Sequence, residues 1–259
     1  MCKENKPIFT TAKVASCEQI TNDVYKLVLK AQCPSPIAGQ FFMLKANPSN
    51  VMLARPISVF MSHKNEAGLT VIEFLILLKG QGTKELCSLE IEDSVDLLGP
   101  VGNGFAKPLA SQNVAIIGGG IGVAPVAGFA STLEKKSYSF FASFKSGSYG
   151  LDHIMPNNLV ISTDDGTVGT KGILPVIFNE ETIRKNAYTL VYACGPERML
   201  EYVQKTCSIA GIDCYLSLES KMACGVGACL GCTISTTEGN KRCCKDGPVF
   251  NGKILSENA

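Results

Sequence analysis

The sequence predicts an antiparallel β barrel, followed by an α/β domain with a parallel sheet and then by a cysteine-rich segment. Three observations lead to this prediction. Short apolar runs separated by Gly, Pro and Asn fill the first hundred residues, a spacing typical of antiparallel barrels and sandwiches. Strand-like and helix-like runs alternate after residue 110, as they do in βαβ units. Five of the twelve cysteines then fall between Cys224 and Cys244.

Composition excludes several classes of protein. The 259 residues carry 24 Lys and Arg against 23 Asp and Glu, a formal net charge of +1. No basic field is therefore available to hold a nucleic-acid backbone. Only two histidines are present, which excludes a zinc or copper site built from several His ligands. Hydrophobic residues make up 46% of the chain, which excludes a disordered protein.

The N-terminal residues and one apolar stretch indicate the cellular compartment in which the protein is expected. Residues 1–7 are mostly polar and lack the apolar core of a secretory signal. We therefore expect a protein of the reducing cytoplasm, where clustered cysteines indicate metal or redox chemistry. Residues 114–130 are 17 positions without a polar side chain, but they include five glycines and Pro125. Since glycine weakens a helix interior, this stretch predicts a buried strand, a turn and a helix start, and no membrane span.

The β region carries two candidate nucleotide-binding motifs. Strands are predicted at 25–29, 41–44 and 69–78, and a Gly–Pro cluster closes the region at 98–104. Arg55-Pro56-Ile57-Ser58 places a guanidinium, which suits a phosphate, three residues before a hydroxyl that suits a ring. Gly80-Gln81-Gly82-Thr83 offers backbone amides to a second phosphate. A surface Arg in a proline turn and a plain hairpin loop are the alternatives.

The α/β region carries two glycine turns at strand ends. The predicted elements are a strand at 114–117, a helix at 126–134, strands at 138–144 and 188–193, and a helix at 197–208. Gly119, Gly120 and Gly122 follow the first of these strands, and Cys194 and Gly195 follow the last. Ligands of open α/β sheets bind at the carboxyl ends of strands, so both turns are candidate nucleotide contacts. The spacing of the first turn is not the Gly-x-Gly-x-x-Gly fingerprint, and a plain tight turn is its alternative. For Cys194 the alternative is a buried cysteine at the end of a strand.

The cysteine spacing is the most specific motif. Cys224-x4-Cys229-x2-Cys232, with a fourth cysteine at Cys243 or Cys244, is the spacing of plant-type [2Fe-2S] ferredoxins. The interleaved glycines let backbone N–H groups approach the sulfurs. Spacing leaves the fourth ligand open. Neighbouring side chains of an extended segment point in opposite directions, so only one of the two should bind iron. A set of inert thiols is one alternative, and a structural zinc knuckle in an interaction protein is another; most of the other seven cysteines are predicted bystanders.

The order of the motifs resembles the ferredoxin–NADP reductase superfamily. The matching segments are Arg-Pro-Ile-Ser, Gly-x-Gly-Thr, Gly-Gly-Gly-Ile-Gly-Val-Ala-Pro and Ala-Cys-Gly-Pro-x-x-Met. The tail from residue 219 to 250, with Asp246-Gly247-Pro248 after the cysteines, resembles the electron-transfer subunits of type B dihydroorotate dehydrogenases. The resemblance spans about residues 8–253. It departs from the family at Leu75-Ile76-Leu77, which is wholly apolar, and at Cys243, beside the last ligand.

The resemblance implies an FAD-binding barrel, an NAD-binding domain and a [2Fe-2S] segment, which we place at 1–107, 108–216 and 217–259. Arg55 is implied at the FAD pyrophosphate and Ser58 near the flavin ring. The other implied or predicted cofactor contacts are Pro56, Ile57, Leu75, Ile76 and Leu77 (the last three through the backbone), Gly82 and Thr83 at phosphate, and Gly119, Gly120, Gly122, Cys194 and Gly195 at the nucleotide. The last iron ligand of the family lies two residues before Asp-Gly-Pro, which implies the ligand set Cys224, Cys229, Cys232 and Cys244.

The resemblance also implies the activity. A partner catalytic subunit with FMN oxidises dihydroorotate, and electrons pass through [2Fe-2S] and FAD to NAD⁺, in a heterotetramer that serves pyrimidine biosynthesis. FAD is needed because nicotinamide takes a hydride whereas a cluster passes single electrons. NAD is favoured because only Lys145 is available where a 2′-phosphate needs a cation. No catalytic residue is predicted in this chain. The alternative is a ferredoxin–NAD(P) oxidoreductase or sulfide dehydrogenase subunit that serves another partner.

Overall fold

The computed structural model describes residues 6–256. The strands of the first half are β1 (Ile8–Gln19), β2 (Val24–Ala31), β3 (Phe41–Asn47), β4 (Arg55–Ser58), β5 (Met61–Lys64), β6 (Thr70–Leu77) and β7 (Ser94–Val101). Those of the second half are β8 (Val114–Gly119), β9 (Tyr138–Phe144), β10 (Asn158–Thr163), β11 (Thr170–Lys171), β12 (Leu190–Cys194), β13 (Asp213–Ser217), β14 (Thr233–Thr236), β15 (Gly239–Arg242) and β16 (Val249–Asn251). The helices are α1 (Gln81–Cys87), α2 (Val123–Ala130), α3 (Glu180–Asn186) and α4 (Glu197–Ala210).

The first sheet is antiparallel and curls on itself. Its strand order is β4-β3-β7-β1-β2-β6-β5, so its two outer strands are consecutive along the chain. Only Val59 and Phe60 join them. The N–H of Val59 donates to the Gln40 carbonyl at 3.0 Å, and the N–H of Phe60 donates to the Glu73 carbonyl at 2.9 Å. The two joining residues thus tie opposite sides of the sheet together, which confirms the predicted barrel.

The second sheet is parallel except at one edge. Its order is β11-β10-β9-β8-β12-β13-β16, and β16 pairs antiparallel with β13. Strand β9 coincides with the predicted strand at 138–144. The apolar stretch 114–130 folds as a strand, a turn and a helix, as predicted, and no helix within residues 6–256 is long and apolar enough to cross a membrane.

Helix α2 differs from the prediction at both ends. It begins before Pro125, because the first turn of a helix has N–H groups without helical partners and tolerates proline. It ends at Ala130, four residues earlier than predicted. The hydroxyls of Ser131 and Thr132 donate to the carbonyls of Gly128 and Phe129, each at 2.8 Å. These bonds compete with continuation of the helix.

One hydrophobic core joins the barrel, the second sheet and the cysteine-rich segment. Phe41 and Met43 of β3 pack in the same cluster as Leu216 of β13 and Phe250 of β16. The buried cysteines Cys232, Cys243 and Cys244 belong to this cluster too. The cysteine-rich segment is therefore held between the two larger sheets.

Candidate functional site

A cleft lies where the barrel meets the second sheet. Strand β4 forms one wall, because it is an edge strand that pairs on one side only, with β3. The predicted cofactor contacts that line the cleft are Pro56, Ile57, Ser58, Leu75, Leu77, Thr83, Gly122 and Cys194. The structure thus brings residues from both predicted nucleotide motifs and both glycine turns to one place.

Arg55 lies beside the cleft with part of its guanidinium unpaired. Its Nη2 donates to the Leu53 carbonyl at 2.9 Å, whereas Nε is buried without a hydrogen-bond partner in the described structure. Gly82 packs against the same side chain. A buried N–H donor without an acceptor costs free energy, and an anion would satisfy it. This environment fits the diphosphate of FAD.

Thr83 lines the cleft but its hydroxyl is already occupied. Thr83 Oγ1 accepts the N–H groups of Lys79 at 2.9 Å and Gly80 at 3.1 Å, and donates to the Gly80 carbonyl. These bonds begin helix α1, which sequence reasoning did not predict because two glycines in four residues suggested a loop. Because the backbone already uses the Thr83 hydroxyl, the predicted contact with phosphate rests on the place of Thr83 in the cleft wall and not on a free hydroxyl.

Strand β6 presents alternate residues to the cleft. Leu75 and Leu77 line it, while Ile76 faces the barrel core, as the period of two requires. Strand β5 pairs with β6 only as far as Glu73. Within the described part of the chain, one backbone edge of β6 therefore has no strand partner from Leu75 to Leu77, where backbone contacts with FAD were predicted.

The glycine turns hold β8 and β12 together. A Cβ on Gly122 would lie 2.6 Å from the Cys194 carbonyl oxygen, and Gly119 and Gly195 both pack against Met199. Gly120 differs from these three: it has φ of +51°, and among residues 6–256 no atom beyond its chain neighbours lies within 4 Å of where a Cβ would lie. Strand β8 lies where the strand order reverses, the usual position of a nucleotide in such sheets. Gly120 is the open, half-buried part of this edge.

The four predicted iron ligands come together as two pairs of thiols. Cys224 is hydrogen-bonded to Cys229, and Cys232 to Cys244. Backbone N–H groups point at three of the sulfurs: Cys229 N–H at Cys224 Sγ (3.4 Å), Gly227 N–H at Cys244 Sγ (3.1 Å) and Cys244 N–H at Cys232 Sγ (3.4 Å). Two pairs of thiols with N–H donors fit a two-iron cluster held by four thiolates.

The thiol of Cys224 has a lowered pKa. Burial alone would raise its pKa, but the N–H groups of Cys229, Val226 and Ala228 lower the pKa to about 6. No group of three or more His, Cys, Asp or Glu within residues 6–256 surrounds a single metal position.

Cys243 and Cys244 lie in a turn after β15, and the expected extended segment is absent at these two positions. The turn nevertheless directs the two side chains apart. Cys244 Sγ accepts the N–H of Gly227, whereas Cys243 Sγ donates to the Leu218 carbonyl at 3.4 Å. Cys244 faces the other cluster cysteines, and Cys243 faces the cleft wall.

Two family models match the chain, at its two cofactor regions. Residues 219–256 match the iron–sulfur cluster binding domain of dihydroorotate dehydrogenase B, and residues 11–105 match the oxidoreductase FAD-binding domain. The chain is 39% identical to the dihydroorotate dehydrogenase B (NAD(+)) electron transfer subunit of Clostridium acetobutylicum, over 96% of this chain and 98% of the relative. It is 38% identical to the subunit of the same name from Clostridium perfringens, over 93% and 95%.

The chain belongs to this family of electron transfer subunits.

Solved structures show the same fold at lower identity. A NADH-dependent reduced ferredoxin–NADP oxidoreductase superposes with a TM-score of 0.79 at 22% identity, covering 95% of this chain and 90% of that one. The ferredoxin reductase of carbazole 1,9a-dioxygenase superposes with a TM-score of 0.62 at 20% identity, covering 80% and 67%. The reductase-like fold of this electron transfer subunit family is therefore shared with reductases that act in other systems.

Sequence reasoning missed one wall of the cleft. The end of β13 and the segment after it line this wall, together with Pro248 and Phe41. The residues are Ser217 of β13 and then Leu218, Glu219, Ser220 and Met222. Local patterns carry no sign of this role, because the wall forms only when the cluster-binding segment of the subunit folds back against the barrel. The sequence Asp246-Gly247-Pro248, which marks the family, was the one available clue.

Cys194 is buried at the cleft in a position that keeps it a neutral thiol. Burial raises its pKa to about 12, and the nearby charge of Glu219 acts in the same direction. A hydrogen bond with Ser217 opposes this shift. In this subunit Cys194 is therefore an uncharged wall residue near physiological pH.

Proposed function

We propose that this chain is the electron transfer subunit of a dihydroorotate dehydrogenase B and delivers electrons from dihydroorotate to NAD⁺ in pyrimidine biosynthesis. The overall reaction converts dihydroorotate and NAD⁺ to orotate, NADH and a proton. A partner catalytic subunit with bound FMN performs the oxidation. We propose that two copies of each subunit form a heterotetramer in the cytoplasm.

The observation that carries this proposal is the common wall between the cluster cysteines and the cleft. Leu218 and Pro248 both line the cleft, and the N–H of Leu218 donates to the Pro248 carbonyl at 2.9 Å. Pro248 follows Cys244 by four residues. The predicted iron ligands and the predicted flavin contacts are thus adjacent parts of one structure, which suits electron transfer between two bound cofactors.

The roles proposed for the residues follow from their environments. When bound, FAD exchanges a hydride with nicotinamide and single electrons with an iron–sulfur cluster. Arg55 binds the diphosphate, the backbone of β4 and β6 follows the flavin, and Leu75 and Leu77 keep water from the cleft. The turn at Gly120 binds NAD beside the cleft. Backbone N–H groups around Cys224 and Cys244 stabilise the charge on the sulfurs.

The outer face of the cluster loop is proposed to meet the partner subunit. Cys229 is exposed, and Val226 and Leu230 beside it are 44% and 61% exposed. Apolar side chains around an exposed ligand suit a protein contact through which electrons enter. We also propose the division of the chain into parts at 1–107, 108–216 and 217–259.

Anaerobic purification with the partner subunit tests the proposal. We expect a coloured complex with one FAD and one [2Fe-2S] cluster per chain and with dihydroorotate-dependent reduction of NAD⁺. A colourless, zinc-loaded chain would refute the cofactor assignment. A coloured chain that reduces ferredoxin with NADH and gives no activity with the partner would favour the alternative of another electron acceptor.

A matched variant separates the two cofactors. Cys244→Ala should keep FAD and the NADH-dependent reduction of ferricyanide, which needs the flavin alone. It should lose the dihydroorotate-dependent reduction of NAD⁺. If Cys244→Ala retains full activity with dihydroorotate, the cluster is not on the electron path and the proposed function is wrong.

A further inference from the structure

Cys243 is a fifth cysteine in the cluster region, and the iron-binding scheme leaves its role open. Its side chain is fully buried, with 0% exposure. Its N–H donates to the Cys232 carbonyl at 3.0 Å, and its Sγ donates to the Leu218 carbonyl at 3.4 Å. Cys243 therefore contacts one predicted ligand, Cys232, through its backbone, and it is joined to another, Cys244, by a peptide bond.

The acceptor of the thiol belongs to the cleft wall. Leu218 lines the cleft, and its own N–H is used by the Pro248 carbonyl. Close packing fixes the turn from the other side, since a Cβ on Gly247 would lie 3.0 Å from the Cys243 carbonyl oxygen. The thiol of Cys243 thus hydrogen-bonds the residue next to the last predicted cluster ligand to the wall of the cleft.

We infer that Cys243 is a positioning residue that holds the Cys244 turn against Leu218 and so sets the electron-transfer connection between cluster and flavin. This inference rests on the proposed function. Each electron-transfer step moves one electron between the cluster and the flavin. Two such steps carry the two electrons of the hydride that the flavin exchanges with nicotinamide. Cys243 remains a thiol throughout: it binds no iron, forms no bond to flavin and neither gains nor loses a proton.

The test uses the full chain loaded with FAD and cluster, mixed anaerobically with NADH. Flavin bleaching reports the first step, the reduction of FAD by NADH. The electron paramagnetic resonance signal of the reduced cluster reports the second step, the transfer of an electron from flavin to cluster. Cys243→Ala removes the donor, and Cys243→Ser keeps a donor. Cys207→Ala removes another fully buried thiol of the same core and serves as the matched control.

We expect Cys243→Ala to keep its iron, sulfide and FAD and to bleach its flavin at the wild-type rate. Its cluster should be reduced severalfold more slowly, and Cys243→Ser should recover most of the loss. The Cys207→Ala variant should match the wild type. The inference is overturned if cluster reduction is equally fast in Cys243→Ala, or equally slowed in Cys207→Ala.

Two further outcomes are decisive. If both Cys243 variants lose their iron, Cys243 is required to retain the cluster and the inference is wrong. If the wild-type chain itself lacks FAD or cluster, or if NADH does not bleach its flavin, the proposed function fails. A failure of the proposed function is seen in the wild-type chain, whereas a failure of the inference about Cys243 is seen only in the variants, so the two can be told apart.

Discussion

Gly82 and Arg55 are in direct contact: a Cβ on Gly82 would lie 3.0 Å from Arg55 Cδ and 3.1 Å from Nε. We predict that Gly82→Ala displaces the guanidinium and weakens FAD binding by about tenfold, or roughly 1.4 kcal/mol, part of the value of a charge-assisted hydrogen bond. Titration of the FAD-free protein with FAD, followed by flavin fluorescence, measures the effect. Gly80→Ala is the control, because no atom of the described residues, apart from its chain neighbours, lies within 4 Å of its Cβ position. Equal weakening in both variants would contradict the prediction.

The assignment of the fourth iron ligand is tested by two neighbouring substitutions. We predict that Cys244→Ala loses most of its iron and acid-labile sulfide, because its sulfur faces Cys232 and the Gly227 N–H. Cys243→Ala should retain both, since its sulfur faces Leu218. Iron and sulfide assays on anaerobically purified protein make the comparison. Iron that is lost from Cys243→Ala and kept by Cys244→Ala would reverse the assignment.

Asp165 links the loops after β9 and β10, which lie at the same carboxyl edge of the parallel sheet as the turn after β8. The pKa of the Asp165 carboxyl is lowered to about 2, mainly by a hydrogen bond from the N–H of Thr167 and further by bonds from the Ser146 and Thr167 hydroxyls. Thr167 in turn accepts the N–H of Gly147. A fixed negative charge here disfavours a 2′-phosphate, so we predict that Asp165→Asn lowers the preference for NADH over NADPH by about tenfold.

Steady-state ferricyanide reduction with each nucleotide measures this preference, and Asp164→Asn is the control. The sign of the pH dependence follows from the lowered pKa. The carboxylate stays charged until the pH falls toward 2, and a phosphate monoester is doubly charged well above its second pKa of about 6. The wild-type preference should therefore stay constant between about pH 7.5 and pH 9. A preference that changes within this range would show that a different group controls it.

His153 lies between the barrel and α2. Its ring packs edge-on against Phe60 with centroids 4.7 Å apart, and its Nε2 lies 3.4 Å from the Ala127 carbonyl. Burial lowers its pKa, and the Ala127 carbonyl, Glu73 and Asp152 only partly oppose this. As the pH falls through 6.5, the ordinary pKa of His, the unfolded chain therefore binds more protons than the folded chain. The free energy of unfolding should decrease in this pH range.

Urea unfolding of the FAD-loaded chain between about pH 5 and pH 8 measures this decrease. We predict a shallower pH dependence in His153→Gln. The control is His63→Gln, at the exposed end of strand β5. If the two variants follow the same curve, the acid sensitivity arises elsewhere in the chain.

Local patterns predicted the elements better than the contacts between them. The run 138–144 is apolar and rich in aromatic residues, so its strand is apparent from sequence, and the cysteine spacing identified the cluster loop. Helix α1 was missed because Gly80 and Gly82 resemble loop residues, while the helix depends on the Thr83 hydroxyl and on packing against the barrel. Propensity is a weak guide where tertiary contacts decide.

The cleft wall formed by residues 217–222 could not be predicted from local sequence patterns, for a physical reason. Gly225 of the cluster loop packs against Met43 of the barrel, 182 positions earlier in the chain. No periodicity reports a contact between such distant segments. The contribution of Leu218 and Met222 to the cleft follows from this long-range packing, and so does the role inferred for Cys243.

The antiparallel pairing of β16 with β13 has a consequence for how the family can be engineered. β16 comes from the cluster-binding segment, yet it covers the outer edge of the nucleotide-binding sheet. A truncation before residue 219 that aimed to keep only the flavin and nucleotide parts would uncover β13, whose free N–H and C=O groups invite pairing with other chains. Such a truncated reductase should aggregate unless the β13 edge is redesigned, for instance with an inward-pointing lysine.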